Sequence, residues 1–250
     1  RTFAESNDPI DLYGMEQINA PAAWDDHVGD SSFRIAVIDT GCDYNHPDLV
    51  DNMWRNLPEL NGVPGVDDDG NGYVDDIYGY DFAAGDSDPS DPNGHGSHCG
   101  GTIAAQGNNG VGVVGVMWEA SLVSVPFLGG SGGGTLQGAV QAVEYCEVMD
   151  IKISSNSWGG GGYSQSMYDA IQLAGEADCH IFCAAAGNSG SNGASYPAAY
   201  DLPNVVSVLA TDQNEQRAGF SQYGSNVDIG APGVDIVSTT PNNGYSSYSG

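Results

Sequence analysis

Residues 34–41 read Arg-Ile-Ala-Val-Ile-Asp-Thr-Gly, an apolar run that ends in an acidic side chain and a turn. A short apolar run of this kind predicts a strand that is buried on both faces. We predict further strands at 122–128, 151–155, 180–186 and 205–210, and helices at 136–146 and 167–174, where apolar residues recur with helical spacing. Alternating strands and helices predict an α/β domain with a mostly parallel central sheet and helices on both faces.

The length allows one large domain or two small ones, and the family resemblance described below implies a single domain over residues 1–250. The chain has 250 residues, of which 40% are apolar, and a chain of this length buries roughly 70–75% of its unfolded surface. Its apolar stretches are much shorter than the ~18 residues that a membrane span requires. The 33 acidic and 5 basic residues give a formal net charge of −28. We therefore expect neither a nucleic acid nor an anionic membrane as a partner, because both attract clustered Lys and Arg.

The five cysteines match no zinc-binding spacing, because the chain has no Cys-x-x-Cys pair. An odd number leaves at least one thiol free, and one disulfide remains open. Cys99 follows His95 by four residues, and we expect it to be a buried free thiol.

Aspartate is concentrated in one part of the chain. Thirteen of the 25 aspartates lie between Asp39 and Asp91. Residues 67–75 read Asp-Asp-Asp-Gly-Asn-Gly-Tyr-Val-Asp, which fits a calcium-binding loop with a glycine at its sharp turn. The predicted Ca²⁺ ligands are the side chains of Asp67, Asp69, Asn71 and Asp75 and the carbonyl of Tyr73. Tyr78 stands where such loops place a closing glutamate, and Asp76 is the substitute. The alternative is a solvated acidic loop.

Four further motifs carry residue types used in catalysis. Asp39 ends the first strand and is followed by Thr-Gly; it is either a turn cap or a catalytic acid. His95 lies among small residues in 94–102, where it can transfer protons, and we assign the nearby His98 to structure. Residues 154–160 read Ser-Ser-Asn-Ser-Trp-Gly-Gly. Asn188, in 184–190, follows a strand and a glycine, so its amide either donates to an oxyanion or occupies a left-handed turn.

These motifs, in this order, resemble those of the subtilisin-like serine proteases, and the resemblance extends from Tyr13 to the last residue. It implies a three-layer subtilisin-like fold, with Asp39 as the acid of the triad, His95 as the general base and Asn188 as the oxyanion donor. It also implies that two edge segments pair with the substrate backbone, through Ser157, Trp158, Gly159, Gly130 and Gly132.

The same resemblance implies a secreted endopeptidase that cleaves proteins or peptides and binds a prodomain or a proteinaceous inhibitor. Structural Ca²⁺ is expected in the acidic insertion, about residues 52–92. A second calcium site is suggested by analogy at Asp48, with the loop of Asn108 and Asn109.

The nucleophile of the family lies in a Gly-Thr-Ser-Met-Ala/Ser-x-Pro motif, whose first glycine corresponds to Gly250. The serine falls two positions later, and Ser246, Ser247 and Ser249 match preceding loop positions. We therefore expect that the C-terminal part of the fold is missing from these 250 residues and that they are inactive alone.

Two alternatives remain. An aspartic protease also carries Asp-Thr-Gly, but it needs two such carboxylates and the chain has one such motif. A calcium-binding pseudoprotease or interaction module is consistent with the missing serine. However, it gives no reason for the residues around His95 and Asn188.

Overall fold

The computed structural model describes residues 6–250, apart from the side chain of Asp178. The helices of this part are α1 (Tyr13–Gln17), α2 (Ala20–Trp24), α3 (Leu57–Asn61), α4 (His95–Ala104), α5 (Leu136–Val148) and α6 (Gln165–Asp178). The strands are β1 (Gly29–Val37), β2 (Glu119–Ser124), β3 (Ile153–Asn156), β4 (Ile181–Ala185), β5 (Val205–Thr211), β6 (Ile229–Pro232), β7 (Ile236–Thr240) and β8 (Gly244–Tyr248). None of the described helices is long and apolar enough to cross a bilayer.

The first six strands form one parallel sheet in the order β2-β1-β3-β4-β5-β6. In its centre, Ile35 of β1 pairs with Leu122 of β2 on one side and with Ile153 of β3 on the other. Because all six strands run the same way, their carboxyl ends meet at one edge, where α/β folds place functional residues.

Alternate residues of β1 enter two different cores. Ile35 and Val37 pack in a cluster with Ala104 of α4, whereas Ala36 and Ile38 pack in a cluster with residues of α5 and α6. Neighbouring side chains of a strand point to opposite faces, so the sheet is covered by helices on both sides. This confirms the predicted three-layer α/β fold with a mostly parallel sheet.

The predicted elements are present, with shifts at their ends. The helix predicted at 136–146 is α5, whose N-cap Thr135 accepts a hydrogen bond from the N–H of Gly138. The strand predicted at 122–128 ends at Ser124 instead. Pro126 has no N–H for the ladder, and the N–H groups of Phe127 and Leu128 donate to the Asp39 carbonyl. The chain therefore leaves the sheet beside Asp39.

Strands β7 and β8 form an antiparallel hairpin that is attached to α4. Ser238 Oγ donates to the His98 carbonyl and Thr239 Oγ1 to the Ser97 carbonyl, both over 2.8 Å. His98 Nε2 in turn lies 2.9 Å from the Ile236 carbonyl, and its ring stacks on Tyr248. His98 therefore joins the helix to the hairpin and points away from Asp39.

Candidate active site

Asp39 and His95 form a hydrogen-bonded pair at the carboxyl edge of the sheet. Asp39 lies two residues beyond the end of β1 and is 1% exposed. His95 is the first residue of α4, and Gly94 before it has a φ of 102°, a conformation that favours glycine. His95 Nδ1 lies 2.6 Å from Asp39 Oδ1. The Thr40 N–H donates to the same oxygen over 2.8 Å, which fixes the carboxylate.

This pairing defines the protonation chemistry of His95. The hydrogen bond to Asp39 raises the pKa of His95 above its ordinary value, against the opposing effect of burial. An Nδ1–H that donates to a carboxylate leaves Nε2 as the basic atom. The His95 side chain keeps 43% of its surface exposed, so a substrate can reach it. The pair therefore has the geometry that a general base and its orienting acid require.

Asn188 lies at the same edge, three residues beyond the end of β4. Gly187 before it has a φ of 117°, and this left-handed turn moves the chain out of the strand. Asn188 is exposed and lines the same two cavities as His95. Its amide can therefore donate a hydrogen bond to an anionic oxygen that forms there.

One cavity is an open cleft of about 810 Å³ whose lining includes Thr40 and His95. Its walls come from two segments predicted to pair with substrate, and they include Gly132, Ser157, Trp158 and Gly159. Aromatic side chains contribute apolar surface to this cleft: Trp158 packs on Phe127 with ring centroids 4.6 Å apart.

Gly130 is placed differently from Gly132. It does not line the cleft, because its carbonyl accepts a 2.9 Å hydrogen bond from the Asn93 side chain and its Cα faces Pro92. Gly130 is exposed beside the cleft, and the substrate-binding role predicted for it stays a prediction.

A second cavity of about 650 Å³ lies between His95 and Asn188 on the side of α4. Cys99, Cys183 and Gly250 line it, and a Cβ placed on Gly250 would lie 3.6 Å from Asn188 Nδ2. Within residues 6–250, no serine hydroxyl forms a hydrogen bond with His95 Nε2. The described residues thus provide a base, an acid and an amide donor around an empty space.

The cysteines form no disulfide in the described part of the chain. Burial raises the pKa of the Cys99 thiol well above its ordinary value, so this thiol is neutral at physiological pH.

The acidic loop brings together two carboxylates of the predicted set, Asp69 and the substitute Asp76, and one that was not predicted, Glu59. Oxygens of Glu59, Asp69 and Asp76 lie within 4.8 Å of one another. Glu59 and Asp76 are buried, and Asp69 is exposed. The Asn71 amide donates to both Asp69 and Asp76. Burial raises the pKa of Asp76 to about 6. Buried like charges of this kind favour a bound cation.

Asp67 and Asp75 have other partners. Asp67 accepts hydrogen bonds from the N–H groups of Gly70, Asn71 and Gly72, and Asp75 Oδ2 accepts from Gly65. These bonds close the loop, as in calcium-binding turns, and the part that the two carboxylates play in metal binding stays a prediction. The Tyr73 ring packs on Tyr145 with centroids 4.9 Å apart. Sequence analysis missed Glu59 because it lies on α3, eight residues before the motif.

Asp48 is buried close to Asn109, as the analogy predicts. Its Oδ1 accepts from Asn109 Nδ2, and its Oδ2 accepts from the Val113 N–H and the Tyr245 hydroxyl. Among residues 6–250, Asp48 belongs to no group of three acidic, His or Cys side chains with ligand atoms close together. The structure therefore shows a hydrogen-bonded carboxylate at this position.

A parallel α/β sheet with an Asp-His pair and an amide donor at its carboxyl edge defines the class of hydrolases that use a triad. The profile of the Subtilase family matches residues 30–250. Thermitase of Thermoactinomyces vulgaris is 37% identical over 238 residues, which are 95% of this chain and 76% of thermitase. Subtilisin Savinase of Lederbergia lenta is also 37% identical, with 95% and 77% covered. The chain belongs to the subtilase family.

The chain covers a smaller share of some relatives. Thermophilic serine proteinase of Bacillus sp. (strain AK1) is 38% identical over 95% of this chain, which corresponds to 53% of that protein.

Proposed function

We propose that this protein is a serine endopeptidase that cleaves extended peptide segments bound in the cleft of about 810 Å³. The observation that supports the proposal most directly is the 2.6 Å contact between His95 Nδ1 and the buried Asp39 carboxylate, with Asn188 across the same cleft.

The residues divide the reaction among them. His95 Nε2 accepts the proton of a serine hydroxyl as its oxygen attacks the peptide carbonyl, and returns it to the leaving amine. Asp39 holds the tautomer in which Nδ1 carries the proton, and it stabilises the imidazolium. Asn188 donates to the oxyanion of the tetrahedral intermediate, and loss of one such donor typically costs about 3–4 kcal/mol.

We further propose that the serine belongs to the part of the protein that follows Gly250. Two observations support this: the cavity between His95 and Asn188, and the short distance from a Cβ on Gly250 to Asn188 Nδ2. Residues 1–250 alone are then expected to have negligible peptidase activity.

A fluorophosphonate probe tests the proposal. In the protein purified from its natural source, we expect a labelled species heavier than 25.8 kDa, with the label on a peptide that follows Gly250. His95→Ala should abolish labelling and Asn188→Ala should lower kcat on the order of 10²–10³-fold. An unlabelled species of 25.8 kDa would instead support a binding module without catalytic activity. Inhibition by pepstatin would support an aspartic protease.

We propose that structural Ca²⁺ is held by Glu59, Asp69 and Asp76, since their converging oxygens are the hard ligands that this ion prefers. When bound, the ion neutralises the buried carboxylates and fixes the insertion on α3 and α5, where the Tyr145 hydroxyl donates to Asp76 over 2.6 Å.

The calcium proposal predicts a loss of thermal stability on chelation. In EDTA the Tm should fall, and Ca²⁺ at 100 times its Kd should restore about 2.7 kcal/mol. Asp76→Asn and Glu59→Gln should each weaken this response, whereas Asp51→Asn, an exposed control, should keep it. Equal responses in all four proteins would show that the ion binds elsewhere.

We propose an extracellular location and a prodomain or proteinaceous inhibitor as a partner, because the family resemblance implies both. Secretion can be tested by comparing peptidase activity in culture medium and in cells of the source organism. A prodomain or a proteinaceous inhibitor can be tested by whether it inhibits the peptidase activity of the purified protein when it is added.

A further inference from the structure

Asp91 is a buried carboxylate with five hydrogen-bond donors around it. It is 7% exposed. Its Oδ1 accepts from the Thr40 hydroxyl and from the N–H groups of Asn93 and Gly94, over 2.8–2.9 Å. Its Oδ2 accepts from both the N–H and the hydroxyl of Ser97, over 2.8 and 2.7 Å. Such a set holds a carboxylate in one orientation.

Two of the residues that donate to Asp91 lie close in the chain to the two members of the catalytic pair. Ser97 lies two residues after His95 in the first turn of α4. Thr40 directly follows Asp39, and its N–H donates to Asp39 Oδ1. Its hydroxyl also accepts from the Gly96 N–H over 2.9 Å. The hydrogen bonds therefore form a closed network. It runs from Asp39 through Thr40 and Asp91 to the first turn of α4, and His95, the first residue of α4, bonds back to Asp39.

Asp91 also supplies the cap that α4 lacks. The N-cap residue is Gly94, which has no side-chain acceptor. The first N–H groups of a helix have no partner within it. The Asp91 carboxylate accepts a hydrogen bond from the N–H of Ser97, and the Thr40 hydroxyl accepts one from the N–H of Gly96. A negative charge at this end of a helix is favourable because of the helix dipole.

We propose that Asp91 is a positioning residue for the proposed peptidase: through Thr40 and the first turn of α4, it sets the distance and orientation between Asp39 and His95. Asp91 does not touch His95, so it acts on catalysis through the backbone and its charge. This inference rests on the proposed function for its activity test, but not for its spectroscopic test.

The charge of Asp91 gives the inference a readout that a purely structural cap would lack. The ionisable groups that face His95 are Asp39, Asp91, His98 and Cys99. Asp39 and Asp91 both raise the pKa of His95, the former more strongly. Removal of the Asp91 charge should therefore lower this pKa and move the acid limb of kcat/KM to lower pH.

The main test is Asp91→Asn in the full-length protein. An asparagine keeps one acceptor for Thr40 and Gly94 but replaces the acceptor for Ser97 with a donor. We expect kcat to fall on the order of ten- to a hundred-fold, as for small displacements in active sites, with little change in KM. His95 should titrate at a lower pH by NMR, and its Nδ1 proton resonance should shift. Asp88→Asn is the matched control, because Asp88 is exposed and lies three residues before Asp91. It should change neither kcat nor the titration of His95.

Two Thr40 variants keep the test decisive if Asp91→Asn fails to fold. Thr40→Val removes both hydrogen bonds of the hydroxyl and should lower kcat as Asp91→Asn does, whereas Thr40→Ser retains the hydroxyl and should lower kcat less. Unchanged titration and Nδ1 resonance of His95 in Asp91→Asn, with a lower Tm, would overturn the inference and leave a simple helix cap. If the parent protein hydrolyses no peptide, the proposed function fails, and the His95 titration still decides the role of Asp91.

Discussion

The contact between His95 and Asp39 joins two residues that are 56 positions apart in the sequence. Asp39 is fully buried and accepts from Thr40 as well, so its position is fixed before any substrate binds. Its second oxygen, Oδ2, is buried and has no hydrogen-bond partner among the described residues. An unpaired buried acceptor is costly in free energy.

At the residue scale, Asp39→Asn tests the pairing of Asp39 with His95. The pKa of His95 is raised above its ordinary value chiefly by the hydrogen bond that its Nδ1–H donates to Asp39. Because only neutral His95 can accept a proton, peptidase activity should fall as the pH decreases through this raised pKa. Asp39→Asn should lower the pKa and move the acid limb to lower pH, while kcat falls on the order of 10⁴-fold. The measurement is kcat/KM against pH in the full-length protein, with Asp51→Asn as a control. An unmoved acid limb would contradict the pairing.

The residues that the sequence indicated are those with a distinctive local pattern. Asp39, His95 and Asn188 follow strands or lie among small residues, and the structure brings all three to one edge of the sheet. Asp91 and Glu59 have no such pattern. Each is one acid in an acidic region, and its partners are distributed over elements whose packing the sequence does not reveal.

At the element scale, α4 approaches the turn after β1 closely because both contain glycine. A Cβ on Gly96 would lie 2.1 Å from the Gly41 carbonyl oxygen. Gly41 itself has a φ of 111° and faces the backbone of Ser90. These contacts let the Asp39 segment and the first turn of α4 come within hydrogen-bond distance.

This close approach predicts that Gly96→Ala is destabilising. The gain in helix propensity, about 1 kcal/mol, should be exceeded by the cost of moving a backbone segment, which is about 1–3 kcal/mol or more for overpacking. We expect a lower free energy of unfolding by urea and a loss of the His95 Nδ1 resonance. Gly162→Ala is the control, because its Cβ would meet nothing within 4 Å. Equal stability of the two variants would refute the close packing described here.

The longer elements could be predicted because their patterns are complete. Helix α5 and strand β5 each match the predicted ranges to within two residues at either end. Helices α1, α2 and α3 have five residues each, too few for a periodic signal. The hairpin of β7 and β8 is defined by its contacts with α4, which are made over about 140 positions of sequence.

At the scale of the whole molecule, the dominant feature is a net charge of −28. Within residues 6–250, Lys152 pairs with Asp150, and His95 contacts Asp39, a contact that becomes an ion pair when His95 is protonated. Most carboxylates therefore have no cationic partner and are neutralised by backbone N–H groups or solvent. Self-repulsion of this kind destabilises the compact state relative to the expanded chain.

Screening should relieve this repulsion. The Debye length falls from about 30 Å at 0.01 M salt to about 10 Å at 0.1 M, so the Tm should increase with NaCl when Ca²⁺ is held constant. A variant with three exposed acids neutralised, Asp51→Asn, Glu147→Gln and Asp201→Asn, should have a higher Tm at low salt and a smaller increase with NaCl. Differential scanning calorimetry at fixed Ca²⁺ measures both, and sucrose serves as a co-solvent that stabilises without screening charge. If the variant and the parent protein respond equally to NaCl, salt acts through exclusion from the surface, and charge repulsion does not limit the stability of this fold.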